Sequence, residues 1–548
     1  MSGLLEVEAA GGLAVYGARA VPGAAETRAQ LVADNVPARL AAKDPTLWGP
    51  EAAADAKIRL GWLDTFRRGR ELLPRLAELR DELQNTGLDN VVLTGVGGSS
   101  PAPEVIARTL GVDLTVLDST DPYQVRAALN NRLASSVVVV SGKSGGTIET
   151  DSHRRACLKA FEDADLPDLP SRFVIVTDPG SPLEAVAEEM YANLILADPE
   201  VDGRYSALTA FGIVPTALAG VDVAELLDEA EEFAPSLADA VTNPALTLGA
   251  ALAAATLSGR DKIALISDGT GLVGTGDWIE QLIAESTGKQ GRGILPVVIE
   301  SPDAPGAVRH DVLTVTVGGS LPPESVPGGG ITPHIAVNGP LGAQFLAWEY
   351  ATAVAARLLR VNPFDQPDVA ESKENTQRIL AAGLPTETPA FVDGPIEVYG
   401  ADLGHARTVD QALGWLLSRV PPDGYLAVLA FLDRFGQAEA AQARAGLADH
   451  TSRAVTFGWG PRYLHASGQY HKGGPPTGAF LQITGTVTED LPVPGRPYTF
   501  GILEAAQAAG DREALTRRGR PLVRLHLTDR AAGVSRLLAA VDELPWVS

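Results

Sequence analysis

Two glycine- and hydroxyl-rich stretches hold the residues best suited to chemistry. Gly95-Val96-Gly97-Gly98-Ser99-Ser100 follows the apolar run Val91-Val92-Leu93, and Ser141-Gly142-Lys143-Ser144-Gly145-Gly146-Thr147 follows Val137 to Val140. Glycines let a backbone approach a ligand closely, the hydroxyls of Ser99, Ser144 and Thr147 add donors, and the opening turn of a following helix presents unpaired N–H groups to an anion. Alone, the Gly95 loop is more often a generic strand–helix or dinucleotide-type turn than a sugar-phosphate site. With a second such loop, both after buried-type strands, a phosphorylated ligand becomes the leading reading. Lys143, flanked by glycine and followed by a helix, is the local cation.

Other stretches could add acid–base groups. Gln281 and Glu285 stand four apart in Gln281-Leu282-Ile283-Ala284-Glu285-Ser286-Thr287-Gly288-Lys289, so on a helix they project from one face. Arg204 lies in Asp202-Gly203-Arg204-Tyr205-Ser206, and taken alone it is as readily a structural ion-pair residue. Gln366 and Lys373 lie in Asn362-Pro363-Phe364-Asp365-Gln366-Pro367 and the polar residues after it, where the lysine reads by itself as a surface helix residue. Gln469-Tyr470-His471-Lys472-Gly473-Gly474 reads as a turn.

The elements that would position these residues alternate in kind. Strands are expected at Asn90–Thr94, Leu114–Leu117, Ser136–Ser141, Arg172–Thr177 and Leu194–Ala197, with helices such as Thr147–Phe161 between them. A second alternating unit has strands Lys262–Ser267, Ile294–Ile299, Val312–Val317 and His334–Asn338, and the helix Asp277–Ser286. Continuous apolar strands with intervening helices imply parallel sheets covered on both faces. The expected organisation is an α/β protein: a helical N-terminal segment without strands (1–70), two doubly wound parallel-sheet units (71–230 and 231–390) and a C-terminal α/β extension (391–548). The extension has strands at Tyr425–Leu432, Ala454–Trp459, Ala479–Thr484 and Leu522–Leu527. The stretch Gly318–Pro333 reads as a loop, and the first two units could be one fold used twice.

The balance of 44 basic against 68 acidic residues gives a net charge of −24 in 548 residues, which disfavours nucleic acid and anionic lipid as partners. An anionic substrate must then be drawn in by local positive potential. Cys157, the only cysteine, excludes an internal disulfide and reads as a core residue. Glu6 and Glu8 stand where a signal peptide needs positive charge, and the apolar stretch Leu246–Ser258 is too short to span a bilayer. A cytoplasmic protein is expected.

In this order the motifs resemble the glucose-6-phosphate isomerase family, built from two sugar-isomerase (SIS) domains, and look most like the isomerase half of transaldolase–isomerase fusion proteins. Gly95 to Ser99 matches the family's Gly-Ile-Gly-Gly-Ser. Lys143, Ser144 and Thr147 match part of Ser-Lys-Thr-x-x-Thr, and Gly203 to Ser206 match Gly-Arg-Phe/Tyr-Ser. Gln281 to Lys289 match Gln-x-x-x-Glu-Ser-x-Gly-Lys, and Phe364 to Lys373 match Phe-Asp-Gln-Pro-Gly-Val-Glu-x-x-Lys.

The resemblance implies interconversion of glucose 6-phosphate and fructose 6-phosphate by a homodimer without metal or organic cofactor. Catalytic roles fall to Glu285 (proton carrier), Arg204 (enediolate stabiliser) and Lys373. Gly98, Ser99, Lys143, Ser144 and Thr147 would hold the phosphate, and Gln281 and Gln366 the sugar hydroxyls. The sequence departs from the family pattern at Gly142, where a serine is usual, and at Ser100-Pro101-Ala102. It also has no match for the ring-opening histidine: Gln344 falls near one such position, and His334, His465 and His471 are the candidates. Two rival readings stay open, another SIS isomerase (mannose/glucose or amino-sugar phosphate) and a non-catalytic sugar-phosphate sensor; the Glu285, Arg204 and Lys373 set argues against the sensor.

Overall fold

A computed structural model describes residues 6–301, 303–320 and 334–546. Its three sheets share one strand order. In the first, all parallel, the strands Thr115–Leu117, Asn90–Thr94, Ser136–Ser141, Phe173–Thr177 and Asn193–Leu196 lie side by side. In the second, the parallel strands Leu295–Ile299, Lys262–Ser267, Val312–Gly318 and Ile335–Asn338 follow the same pattern. In the third, Ala454–Trp459, Tyr425–Phe431, Gly478–Gly485 and Leu522–Leu527 repeat it. The second strand of each unit pairs with the outer side of the first, and the third and fourth extend the inner side. The fold expected twice is therefore present three times as a strand order.

The sequence reading is corrected at two hairpins. Residues 1–70 are not free of strands: Val7–Ala10 and Leu13–Tyr16 form a hairpin whose second strand adds antiparallel to Ile335–Asn338. A like hairpin, Phe391–Asp393 with Ile396–Tyr399, adds antiparallel to Leu522–Leu527. Both are too short for alternation to stand out from glycine and proline punctuation. Glu8, which broke the apolar pattern of the first, is buried by Arg19 and Arg28 and accepts from Asn243 N–H at 2.6 Å. Of the expected loop Gly318–Pro333, residues 321–333 lie outside the described residues.

A single apolar core runs from Leu13 to Phe364 through the first two sheets, and a separate one fills the third unit. Cys157 is buried in a smaller cluster with Val92, Val138, Val140, Phe161 and Phe173 at the first sheet, its thiol pushed up to about 12 by burial. No described helix is long and apolar enough to cross a membrane.

Strand order fixes where a ligand can sit. An open parallel sheet binds outside the carboxyl ends of its strands, at the crevice where the order reverses. In the first sheet that crevice lies between Asn90–Thr94 and Ser136–Ser141, the strands that lead into the two glycine loops. Beyond the carboxyl ends of its own strands the third unit meets the first: Arg530 pairs with Asp121 at 2.5 Å, and Arg434 with Glu104 at 2.9 Å. The two units thus face each other.

Candidate active site

Each loop is shaped by what its glycines allow. Gly97 and Gly145 adopt φ of +63° and +65°, open to glycine at no steric cost. Gly98 packs directly on the backbone of Gly203, where a β-carbon would lie 1.9 Å from the carbonyl oxygen. That approach carries the short turn Gly203–Tyr205, and with it Arg204, to the loop. The helix Ile148–Asp163 starts at Thr147 without a side-chain cap, so its first N–H groups remain available to an anion.

Arg204 is buried and fully engaged on one side. Its Nη1 donates to the carbonyls of Glu285 (2.9 Å) and Asp365 (3.2 Å), and its Nη2 donates to Asp202 Oδ2 (2.8 Å) and to Gln366 Oε1. Nη2 also lies 3.7 Å from Glu285 Oε1. Its Nε is buried without a partner among the described residues. Burial alone would lower the arginine's pKa, but Asp202 and Glu285 outweigh it and keep the group cationic. Tyr205 anchors the turn between Trp62 and Phe364, with ring centroids 5.4 and 5.7 Å away.

The helix Thr275–Thr287 presents Gln281 and Glu285 from one face, as their spacing requires; Gln281 Nε2 donates to Glu285 Oε2 at 3.3 Å and to the His465 carbonyl at 3.0 Å. Burial raises the Glu285 pKa above the usual carboxylate value against the pull of Arg204. Lys289, at the end of the same motif, is structural: its Nζ donates to the Asn362 carbonyl at 2.6 Å and to Asp365 Oδ1 at 2.7 Å. This ties down the stretch that carries Gln366 and leads into the Val369–Ala382 helix with Lys373.

These segments close on a cavity of about 330 Å³. Gly98 and Ser99 line it from the first loop, and Lys143, Ser144 and Thr147 from the second. Arg204, Gln281, Glu285, Gln366 and Lys373 complete the residues expected from sequence, and all of them line this one space. Lys143 is less free than expected, since its Nζ donates to Asp178 Oδ2 at 2.6 Å and to the Asp198 carbonyl at 3.3 Å. Arg59, from the N-terminal segment, is a lining cation that sequence reasoning missed. No local signal marks it, because only tertiary packing brings it there.

The three candidate histidines separate cleanly. His465, in the turn Arg462–His465 of the C-terminal unit, lines the cavity and places Nε2 2.9 Å from Glu149 Oε1. Glu149 also accepts from Gln507 at 2.7 Å. Burial would raise the Glu149 carboxyl, but His465, a backbone N–H and Lys373 lower it to about 2. His334 is outside the cavity lining, its Nδ1 accepting from Thr314 N–H at 3.0 Å. His471 is buried 3.0 Å from the Tyr425 hydroxyl, and burial lowers its pKa to about 3. Gln344 is a core residue that donates to the carbonyls of Gly318 and Val337. Glu149 was missed in the sequence; it stands two residues after Thr147, on the inward face of the helix that follows the second loop.

The repeated parallel sheets and the cleft above their carboxyl ends define an α/β protein of the fold seen in two solved structures. One is a hypothetical protein from Thermus thermophilus (TM-score 0.55, 24% identity, covering 69% of this chain and 100% of that one). The other is a glucose-6-phosphate isomerase from Chlamydia trachomatis (TM-score 0.53, 18% identity, covering 69% and 90%). No family model matches the chain.

Sequence similarity carries the assignment further. The chain is 36% identical over 216 residues to a probable glucose-6-phosphate isomerase of Haloarcula marismortui, covering 38% of this chain and 49% of that protein. It is 31% identical over 218 residues to a glucose-6-phosphate isomerase of Methanocaldococcus jannaschii, covering 39% and 54%. The chain spans about half the length of the curated relatives it matches. Over these matched residues it is similar to proteins named glucose-6-phosphate isomerase.

Proposed function

We propose that the chain interconverts glucose 6-phosphate and fructose 6-phosphate. The observation that carries this reading is the convergence of Glu285, Arg204 and Lys373 with both hydroxyl-bearing loops on one cavity. The phosphate rests on Ser99, Ser144, Thr147 and the uncapped helix start, with Lys143 and Arg59 supplying positive potential in an acidic protein. His465, held by Glu149, and Lys373 act at the ring oxygen and the anomeric hydroxyl to open the sugar. Glu285 then takes the C2 proton and returns it to C1, while a proton moves from the C2 oxygen to the C1 oxygen, so that the C1 aldehyde becomes a hydroxyl and C2 the carbonyl. The intervening enediolate carries negative charge, which Arg204 offsets without competing as an acid. Burial suits Glu285 to the work, since a carboxylate raised above its usual pKa is a stronger base.

The C-terminal unit supplies His465 within the same chain, so the ring-opening histidine needs no partner subunit. A homodimer in the cytoplasm, implied by the resemblance, remains part of the proposal, and sedimentation of the purified protein measures its assembly. The decisive experiment is a coupled assay of fructose 6-phosphate conversion. Turnover is expected in the native protein and is expected to fall about 10²- to 10⁴-fold in Glu285→Gln, with substrate binding largely retained. Conversion by the native protein that Glu285→Gln leaves unchanged would remove Glu285 as proton carrier, and no conversion at all would remove the reading.

A further inference from the structure

The largest unassigned feature lies in the C-terminal unit. A cavity of about 1150 Å³ opens where the C-terminal ends of the helices Val369–Ala382, Val409–Leu417 and Phe500–Arg517 meet the start of the strand Leu522–Leu527. It lies apart from the catalytic cavity of about 330 Å³ and shares no lining residue with it.

Its charge runs against that of the molecule. Six arginines line it (Arg378, Arg419, Arg512, Arg517, Arg520 and Arg524) in a chain of net charge −24, opposed by Glu387, Asp402 and Glu513. Two of those carboxylates are each shared between two arginines: Glu387 meets Arg512 at 2.8 Å and Arg524 at 2.7 Å, and Glu513 meets Arg378 and Arg517. Arg520 has no such partner. It is 9% exposed, its Nε is buried and unsatisfied, and its guanidinium makes no ion pair with a carboxylate among the described residues. A buried cation without a counter-charge is costly, and a bound anion removes that cost.

The walls are aromatic as well as basic. Trp415 lines the cavity with the Arg419 guanidinium 5.0 Å from its ring centre, and Tyr399 lines it with that of Arg524 at 3.7 Å. Such stacked pairs present flat, polarisable surfaces to a planar ring. The space exceeds what a hexose phosphate fills and falls in the range of larger organic ligands.

We propose that this cavity binds a nucleotide, its phosphates on Arg520 and the shared arginines and its base against Trp415 and Tyr399. The site stands independently of the isomerase reading. Because Arg378 lies on the helix that also carries Lys373, one helix lines both cavities.

Isothermal titration of the full chain with ATP, ADP and AMP, and with pyrophosphate as the baseless control, tests it. One nucleotide per chain is expected, weakened at least about tenfold by Arg520→Gln and unchanged by Ser144→Ala in the catalytic loop. A second measurement needs no variant: photo-crosslinking the native protein with 8-azido-ATP is expected to label the peptides of Tyr399 or Trp415. Three results would each overturn the proposal: no binding up to millimolar nucleotide, pyrophosphate binding as tightly as ATP, or label confined to residues 95–147.

Discussion

His465 and Glu149, from the C-terminal and first units, meet at 2.9 Å across the cavity wall. The contact joins a loop of the third sheet to the helix that follows the second phosphate-type loop. A carboxylate held at about 2 stays ionised throughout the working range, so it fixes the imidazole's orientation.

From this pair follows a ranking of the three histidines. His465→Ala is expected to lower turnover about 10²- to 10⁴-fold, as loss of a positioned acid–base group does. His334→Ala is expected to leave turnover within about twofold, because its ring is held by Thr314 outside the cavity. Glu149→Gln acts through His465 and is expected to change the pH profile as well as the rate. Steady-state assays of the three variants check the order, and equal losses at His334 and His465 would break the assignment.

The pH dependence has a definite sign. Burial, opposed by Arg204, raises the Glu285 pKa, so the carboxylate needed to accept the C2 proton is lost as pH falls through that raised value. The acid limb of kcat/KM is therefore expected above the ordinary glutamate value of about 4.3. A kcat/KM profile of the native protein measures it directly, and a limb at or below that value would show that Glu285 is not the group titrating.

Much of this site was legible in the sequence because its parts are local. The glycine loops follow uninterrupted valine runs, and Gln281 with Glu285 needs only helical spacing to share a face. What escaped notice depends on long-range packing. Arg59 comes from a helical segment with no motif of its own. Glu149 gains meaning only through a histidine 316 residues away. Among the three histidines, sequence offered no means to choose, since the choice rests on how the third unit docks on the first. The two hairpins escaped for another reason: at three or four residues per strand, alternation is too brief to register.

The Gly98–Gly203 approach gives a steric prediction. A β-carbon at Gly98 would fall 1.9 Å from a backbone carbonyl that cannot swing aside, so the loop and the Arg204 turn must part. Gly98→Ala is expected to lower kcat/KM about 10²-fold, the scale of an ångström-level misplacement of catalytic groups. Gly146→Ala is the control, since its β-carbon would meet nothing within 4 Å. Comparable losses in both variants would point to general loop disruption instead.

A last prediction concerns stability rather than catalysis. Glu349 is fully buried in the helix Leu341–Leu359, and both carboxyl oxygens lack partners among the described residues. Burial pushes its pKa well above the carboxylate range, so the folded protein holds it neutral while the unfolded chain ionises it. Folding must then take up a proton, and the cost grows as pH rises from the unfolded pKa toward the folded one. Glu349→Met keeps the volume and removes that cost. It is expected to stabilise the protein by about 1–3 kcal/mol near neutral pH, the usual penalty of an unsatisfied buried polar group, with a smaller gain near pH 5. Thermal melts of both proteins at the two pH values measure the difference. A variant that melts lower at both would show that the carboxyl is satisfied in solution by a bound water.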